Sequence, residues 1–441
     1  MAIVQDPGIL METEVLIIGA GLAGLSAGYH LDKKDHIIVE AEDRVGGLCK
    51  SFQVDGFHFD CTGHLIHFRT PEGKKIINDL LPDKLHEHHR KSAIYIQERY
   101  TDYPFQANTF GLPPEIIKEC VLGFVKTLLH KKKTRIRNFR DWVHDTFGEG
   151  IARYFMVPYN EKLWQHDLAD IALDWVNWSI PKPGLEDVLN GALGIKNKQF
   201  GYNPVFYYPA RGGISLLPES FPIRGQLLLN NPVEKVRLRK REVVLRDGQR
   251  IRYRYLFSTM PLHALIQLVE DAPVFWGKAS EQLQYVSVLN VNLGIDRSDV
   301  IPYHWVYFPE KDKPFYRIGC TSNFSGGVAP QGTSCLYIET SLRSDRSHDV
   351  NDLVRQTTES LKSCGLLRSG DRILAGMPVL LKYAYVVYNS ARKKAVERIH
   401  HYLNARDVYS FGRYGSWIYS SMEDAVLEGK QHAEKLQESG S

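Results

Sequence analysis

A glycine-rich hexapeptide near the start of the chain is suited to holding phosphate groups. Gly19-Ala20-Gly21-Leu22-Ala23-Gly24 follows the apolar run EVLIIG, and helical spacing of apolar residues begins directly after it. In such a loop Gly19 permits a tight turn, Gly21 lets the backbone approach a pyrophosphate, and Gly24 allows close packing of helix against strand. A helix N-terminus also offers free N–H groups to phosphates. The pattern predicts a dinucleotide site rather than a glycine-rich turn without a ligand.

A carboxylate stands where the ribose of a bound dinucleotide would lie. Glu40 ends a second apolar run, HIIVE, and follows Gly21 by 19 residues. A carboxylate at this point accepts hydrogen bonds from ribose hydroxyls, and its charge repels a 2′-phosphate. We therefore expect NADP to be disfavoured in this pocket.

The two apolar runs and the helix between them form a βαβ unit of ordinary size. The remaining patterns are helical from about 113 to 189, short strands with a hairpin signal from 227 to 260, strands again from 286 to 388, and a strand, turn and helix from 407 to 438. We predict an α/β protein with a discontinuous Rossmann-type nucleotide-binding domain, a helical insert and an antiparallel-sheet substrate domain. The predicted boundaries are 1–90, 201–265 and 391–441 for the nucleotide-binding parts, 91–200 for a mainly helical substrate or cap region, and 266–390 for the sheet domain.

Composition excludes several classes of protein. The 441 residues carry 55 basic and 51 acidic side chains, and this net charge of +4 does not indicate nucleic-acid binding. The six cysteines form no CxxC pair, no signal peptide is recognisable, and no apolar run reaches the ~18 residues of a membrane span. His86-Glu87-His88-His89 has no second ligand cluster at metal spacing, so no metal site is predicted. We expect a cytoplasmic protein without a membrane span.

Three separated segments resemble the amine-oxidase-like FAD superfamily. They are Glu40-Ala41-Glu42-Asp43-Arg44-Val45-Gly46-Gly47, then Asn231–Val236 with Phe257–Leu262, and finally Gly412–Gly415 with Met422-Glu423-Asp424. The resemblance implies that the dinucleotide is FAD. The residues it assigns to the cofactor are Gly19, Gly21, Leu22, Ala23, Gly24, Glu40, Ala41, Arg44, Gly46, Gly47, Leu48, Gly63, His64, Val233, Met260, Gly412, Arg413 and Met422.

Further motifs between these segments resemble the UDP-galactopyranose mutase family, especially its eukaryotic branch. They are Thr62-Gly63-His64, Tyr103-Pro104-Phe105-Gln106, Pro158–Trp164, Asn203 with Tyr208–Gly213, Trp305–Glu310 with Pro314–Arg317, and Gly412-Arg413 with Tyr419. The resemblance implies that reduced FAD acts through N5 as a nucleophile on the anomeric carbon of a nucleotide-linked sugar, with no net redox. It also implies a UDP-sugar as substrate and NAD(P)H as a possible reductant.

The same resemblance assigns roles to individual side chains. Arg317, Tyr307, Tyr385 and Tyr419 are expected at the diphosphate, His64 near flavin N5 and Arg413 close to the flavin ring. The other residues expected to contact the substrate are Tyr103, Gln106, Tyr159, Asn160, Trp164, Asn203 and Trp305.

One departure from the family puts the substrate in question. The family has a second phosphate-binding arginine in the region that here reads Trp175–Lys182, and no arginine stands there, at Ser179 or beside it. Lys182 and Arg211 are candidate replacements, or the sugar nucleotide differs. Two alternatives stay open: a net-redox oxidase or desaturase of the amine-oxidase or protoporphyrinogen-oxidase type, and a flavoprotein without catalytic activity.

Overall fold

The computed structural model describes residues 10–32, 34–129, 135–176, 180–198, 200–201 and 203–439, so positions 177–179 of the segment lacking the arginine lie outside them. The strands are β1 (Leu10–Ile18), β2 (His36–Val39), β3 (Ser51–Val54), β4 (Phe57–Asp60), β5 (Leu85–His89), β6 (Ser92–Ile96), β7 (Arg99–Asp102), β8 (Val205–Pro209), β9 (Gln226–Leu228), β10 (Val233–Arg237), β11 (Glu242–Leu245), β12 (Arg250–Ser258), β13 (Tyr285–Ile295), β14 (Trp305–Tyr307), β15 (Arg317–Cys320), β16 (Ser334–Arg343), β17 (Ile373–Val386) and β18 (Val408–Ser410). The helices are α1 (Leu22–His30), α2 (Pro71–Leu80), α3 (Pro114–Leu129), α4 (Phe139–Ile151), α5 (Val157–Trp164), α6 (Leu185–Leu193), α7 (Leu216–Glu219), α8 (Leu262–Leu268), α9 (Trp276–Gln282), α10 (Val350–Ser363), α11 (Arg392–Asn404), α12 (Gly412–Gly415) and α13 (Met422–Ser439).

The first sheet is built from three separate parts of the chain. Its order is β10-β11-β12-β1-β2-β9, and β18 pairs with the end of β12. Strands β9, β2, β1, β12 and β18 are parallel, as expected where helices cover both faces of a sheet, and β1 is buried along its C-terminal half. The predicted β1-α1-β2 unit and the discontinuous nucleotide-binding domain are confirmed, whereas the numbered domain boundaries stay a prediction.

The second sheet has the order β17-β13-β16-β15-β14-β6-β7. The predicted antiparallel pairing holds for each neighbouring pair except β6 and β14, which run parallel with Trp305 opposite Ser92. Strands β6 and β7 come from the segment that was predicted to be mainly helical. In this sheet the apolar side chains of β6, such as Ala93 and Ile94, are fully buried, and this burial favours the position of the strand.

The helical region packs between the sheets and carries one wall of the site. Helix α4 continues through a π-helical turn, Ala152–Met156, directly into α5. Phe155 in that turn stacks on Tyr159 in α5, with ring centres 5.2 Å apart. Among the described residues, no helix combines the length and apolar character needed to cross a membrane.

Candidate functional site

The glycine loop is shaped by contacts that leave no room for side chains. Gly19 has φ of +99°, and a Cβ there would lie 2.5 Å from Thr259 Oγ1. A Cβ on Gly24 would lie 1.9 Å from the carbonyl oxygen of Gly19. The loop therefore keeps its backbone exposed to a ligand at the N-terminus of α1, which is the arrangement that a pyrophosphate requires.

Glu40 and the second glycine pair lie against this loop. The Gly46 N–H donates to the Ala20 carbonyl at 2.8 Å, and a Cβ on Gly47 would be 3.3 Å from Gly21 Cα. Glu40 Oε2 accepts a hydrogen bond of 2.8 Å from the Ala20 N–H, and the side chain is buried. The structure thus brings together the glycine pairs and the carboxylate that the sequence predicted for one cofactor.

The C-terminal segment closes the same region. Gly412 lies against the first turn of α1, because a Cβ there would be 2.8 Å from Ala23 Cβ. Met422 opens α13, and Met260 follows β12 next to the glycine loop. Of the remaining predicted cofactor residues, Leu48 is half-buried, Val233 begins β10, and Ala41 and Arg44 are exposed. Arg44 pairs with Asp43 at 3.0 Å rather than with the loop.

Arg413 and His64 are two neighbouring polar residues between the glycine loop and the cavity described below, and they are called the polar boundary here. Arg413 Nη1 donates to the Ser420 carbonyl and Nη2 to the Ala384 carbonyl, and the guanidinium lies 4.3 Å from the Tyr419 ring centre. Burial, and next the charge of Arg413, lower the pKa of His64 to about 4. His64 is therefore neutral at pH 7, and its Nδ1 is buried without a hydrogen-bond partner among the described residues. An unpartnered nitrogen beside these segments fits a bound ring system.

A cavity beside this boundary collects the predicted substrate residues. Its walls are Tyr103, Gln106, Phe155, Met156, Tyr159, Asn160, Leu163, Trp164, Trp175, Ile180, Pro181, Asn203, Tyr307, Arg317, Tyr385, Tyr388 and Tyr419. Among the predicted substrate contacts, Trp305 alone lies outside the walls, since its ring packs 5.7 Å from Phe206 of β8 and is 2% exposed. Trp305 therefore does not line this cavity, and its contact with a substrate stays a prediction.

The sequence did not identify several walls. Phe155 belongs to none of the motifs quoted above, although it precedes Tyr159 by one helical turn, a spacing that places two side chains on one face. Trp175 and Tyr388 join the cavity through a contact between distant segments, in which the Ala172 N–H donates to the Tyr388 carbonyl at 2.6 Å. No local pattern in the sequence carries that contact.

Arg317 is held by a buried carboxylate that the sequence motifs did not indicate. Its Nε and Nη2 donate to the two oxygens of Glu339 at 2.6 and 2.9 Å, and Glu339 has no exposed surface. Thr62 Oγ1 also donates to Glu339. Burial alone raises the pKa of Glu339, but the charge of Arg317 and these hydrogen bonds outweigh it and hold the pKa below its ordinary value. The pair is therefore ionised.

This pairing changes how Arg317 can bind an anion. The forked contact predicted for a diphosphate is already made to Glu339 along the Nε edge. Among the described residues Nη1 has no hydrogen-bond partner, and the side chain of Arg317 remains 22% exposed in the cavity wall. A guanidinium has five N–H groups, so its outer edge, formed by Nη1 and Nη2, stays available for a second acceptor.

The tyrosines around Arg317 are neutral donors. Burial is the main cause that raises the pKa values of Tyr103, Tyr159, Tyr307 and Tyr385, so these phenols stay protonated at pH 7. Tyr385 and Tyr419 stack with ring centres 6.0 Å apart, and the Tyr103 and Tyr307 rings lie 5.3 Å apart. Protonated phenols beside an arginine can donate hydrogen bonds to an anion.

Neither candidate replacement for the missing arginine reaches the cavity. Lys182 lies over the Trp142 ring, and Arg211 is exposed next to Gly327. A different cation is closer: Arg90 lies 4.6 Å from the Tyr103 ring centre and donates to Asn203 Oδ1 at 2.7 Å. Among the described residues, no group of three or more His, Cys, Asp or Glu side chains could hold a metal ion.

Solved structures of known flavoproteins are similar to this architecture. A solved structure of reduced UDP-galactopyranose mutase has a TM-score of 0.91 and 25% identity, covering 97% of this chain and 94% of its own. Putrescine oxidase bound to putrescine shares the fold, with a TM-score of 0.65, 14% identity and coverage of 98% and 100%. L-amino acid oxidase of Cerastes cerastes is 27% identical over 260 residues, which is 52% of this chain and 46% of that protein. The chain thus spans less than half the length of this curated relative.

The family follows from a match over nearly the whole chain. Residues 22–436 match the family described as flavin containing amine oxidoreductase. The chain therefore belongs to this family and is a flavoprotein with the amine-oxidase-like FAD-binding fold.

Replacing Gly24 by alanine tests the cofactor cradle. The added methyl group meets the backbone oxygen of Gly19, which cannot move away, so we expect flavin binding to weaken at least about tenfold. The measurement is the ratio of flavin to protein absorbance after purification. Gly277→Ala is the control, since a Cβ there has no neighbour within 4 Å. Equal flavin content in both variants would show that the loop does not hold the cofactor.

Glu339→Gln tests the buried ion pair. The substitution leaves Arg317 buried without a counter-charge, so we expect a loss of about 3 kcal/mol in the free energy of unfolding, measured by urea denaturation at pH 7. Glu270→Gln removes the exposed pairs with Lys235 and Arg237, and because exposed ion pairs contribute little, the free energy of unfolding should stay close to that of the wild type. Similar losses in the two variants would contradict the importance assigned to Glu339.

Proposed function

We propose that this protein is an FAD-dependent mutase that interconverts the pyranose and furanose forms of a nucleotide-linked sugar without net redox change. The observation that carries the proposal is the wall in which Arg317, ion-paired with Glu339, faces the cavity among protonated tyrosines. Such a wall is built for an anion that is held rather than consumed. The similarity to reduced UDP-galactopyranose mutase supports the same conclusion.

The diphosphate is proposed to lie against Arg317 and the tyrosines. The outer edge of the guanidinium supplies two charge-assisted hydrogen bonds, and Tyr307, Tyr385 and Tyr419 donate from their phenols. Arg90, fixed over Tyr103, places a second positive charge behind that wall. It takes the place of the arginine that the segment Trp175–Lys182 lacks.

We propose that the nucleobase lies along the α5 side of the cavity. Phe155 and Tyr159 present parallel rings, with an interplanar angle of 15°. Gln106 Nε2 donates to the Pro181 carbonyl and Asn160 Nδ2 to the Met156 carbonyl, so both amides keep their oxygens for a ligand. Amide oxygens accept from a ring N–H such as that of uracil. A uridine diphosphate sugar is therefore the proposed substrate.

The cofactor residues described above would hold FAD beside this cavity. When bound and reduced, FAD supplies a nucleophilic N5 for the anomeric carbon, and NAD(P)H is the proposed reductant. His64 stays a neutral imidazole that can donate or accept a hydrogen bond at the cofactor. The Arg413 guanidinium, bound to two carbonyls, adds a fixed positive charge near departing phosphate.

Membership of an amine oxidoreductase family favours a second candidate, net oxidation of an amine. The charges of the cavity argue against it. An ammonium substrate would face Arg317 with Arg90 and Arg413 nearby, while among the described residues no carboxylate lines the cavity, and Glu339 is already bound to Arg317. Like charges in a buried site are strongly unfavourable.

Assays with defined sugars decide between the candidates. The protein is reduced with dithionite under anaerobic conditions and incubated with UDP-, GDP- and dTDP-sugars, and NMR identifies the products. We expect UDP-galactopyranose and UDP-galactofuranose to interconvert without consumption of reductant. Oxygen uptake in proportion to an oxidised amine, with no sugar isomerisation, would refute the mutase.

Arg317→Ala tests the diphosphate contact. Loss of charge-assisted hydrogen bonds worth about 1.5–3 kcal/mol should weaken UDP-galactose binding by roughly 10- to 150-fold, while the flavin spectrum is retained. Arg297→Ala is the matched control, because it removes another largely buried arginine–carboxylate pair, with Asp371, outside the cavity. Titration of tryptophan fluorescence measures both affinities. Unchanged affinity in Arg317→Ala would remove this residue from the site.

A further inference from the structure

Lys162 joins two walls of the cavity without touching the cavity itself. It lies in α5 between Tyr159 and Trp164, which are wall residues. Its Nζ donates to three backbone carbonyls: Phe308 at 2.7 Å, Glu310 at 2.8 Å and Phe315 at 2.6 Å. An ammonium group has three N–H donors, so each of them is used.

The three carbonyls belong to the connection 308–316 between β14 and β15. At the base of this hairpin Tyr307 pairs with Arg317, and the Phe308 N–H donates to the Tyr316 carbonyl at 2.9 Å. Phe308 and Phe315 are fully buried, with ring centres 5.0 Å apart. The hairpin is therefore a packed unit, and Lys162 is its buried polar attachment to α5, beside the more exposed pair of Lys311 with Glu161.

The charge of Lys162 is not cancelled by a salt bridge. Among the described residues no carboxylate oxygen lies within 4.0 Å of Nζ, whereas Lys311 on the same connection pairs with Glu161 of α5 at 2.9 Å. The charged and titratable groups that face Lys162 at longer range are Glu310, Asp312, Lys313 and Cys364. Carbonyl dipoles therefore hold this ammonium, and a neutral side chain cannot replace it.

We propose that Lys162 is a positioning residue that fixes the Tyr307–Arg317 edge of the hairpin against the Tyr159 wall, so that the cavity binds the diphosphate most tightly while all three hydrogen bonds are made. This inference rests on the proposed function for its ligand. It concerns a residue that neither contacts the substrate nor takes part in the reaction.

The protonation of Lys162 makes this attachment sensitive to pH. Burial lowers the pKa of Lys162 to about 7, although Asp312 and Glu310 act to raise it. The ammonium is present below that pH and is lost above it, and the amine that remains has two donors for three carbonyls. A diphosphate diester carries no proton between pH 6 and 8.5, and His64, with a pKa of about 4, is already neutral. The KM for the sugar nucleotide should therefore rise above pH 7 while kcat changes little.

Lys162→Met tests the proposal in the flavin-loaded enzyme. With UDP-galactose we expect KM at pH 6.5 to rise about tenfold, kcat to stay within about threefold, and the rise of KM with pH to disappear. Lys430→Met is the control, since it removes a lysine of α13 that pairs with Glu72 of α2 and Glu434 of α13 and does not line the cavity. A wild-type KM that is flat from pH 6 to 8.5, or a Lys162→Met KM equal to wild type, would overturn the proposal.

Hydrogen exchange separates this proposal from the proposed function. If no sugar nucleotide is turned over, the exchange rates of the Phe308 and Tyr316 amides still report the attachment. The Phe308 N–H donates to the Tyr316 carbonyl, and the Tyr316 N–H donates to the Glu339 carbonyl. We expect their protection to fall about tenfold in Lys162→Met and, in the wild type, between pH 6 and pH 8 after correction for intrinsic rates. Protection that is the same in wild type and variant would refute the attachment, whatever the substrate.

Discussion

The buried carboxylate of Glu339 connects the second sheet to the segment that follows β4. Glu339 lies in β16 of the second sheet and binds Arg317 in the neighbouring β15. It also accepts hydrogen bonds from the Thr62 hydroxyl and the Gly63 N–H, which lie directly after β4. An isolated charge at this depth would cost several kcal/mol, so each partner is required by the others. Since His64 follows Gly63 directly, the same carboxylate links His64 to the Arg317 wall of the cavity.

The two walls of the cavity are held by different means. The Arg317 wall depends on ion pairing with Glu339, whereas the α5 wall depends on aromatic packing, in which Phe155 stacks on Tyr159 and Trp164 meets Trp175. Apolar contacts are non-directional and tolerate sliding. The three directional hydrogen bonds of Lys162 supply the register that packing alone leaves undefined. The cavity consequently offers aromatic rings for the proposed base and an arginine with phenols for the proposed diphosphate. Its Tyr307–Arg317 edge is held rigidly by the hydrogen bonds of Lys162.

The sequence predicted what short-range patterns encode. The glycine loop, Glu40 and the βαβ unit are local, and motif residues such as Tyr159 and Tyr419 line one cavity, while their contacts with a substrate stay a prediction. Long-range contacts were missed. Glu339 and Arg90 reach the site through strand pairing and a cation–ring contact, neither of which leaves a periodic signal. Trp305 and Tyr307 lie on one face of β14, yet Tyr307 lines the cavity while Trp305 packs against Phe206, and sequence spacing alone does not distinguish the two positions. The sequence also did not predict that β6 and β7 belong to the second sheet. Their place depends on the parallel pairing of β6 with β14, which lies far along the chain.

The charge pattern of the cavity limits the chemistry more tightly than the fold does. The fold is shared with putrescine oxidase, whose title substrate is a cation, and therefore does not distinguish reactions. In this chain, burial keeps the phenols protonated and His64 neutral, while Arg317 and Arg413 stay charged. The cavity is lined by a cation and by neutral donors, with the Glu339 carboxylate held behind Arg317, and we propose that such a lining stabilises an anion both when it is bound and when it departs. That property suits a reaction in which a diphosphate leaves a sugar and returns to it, because the same groups must hold the diphosphate throughout.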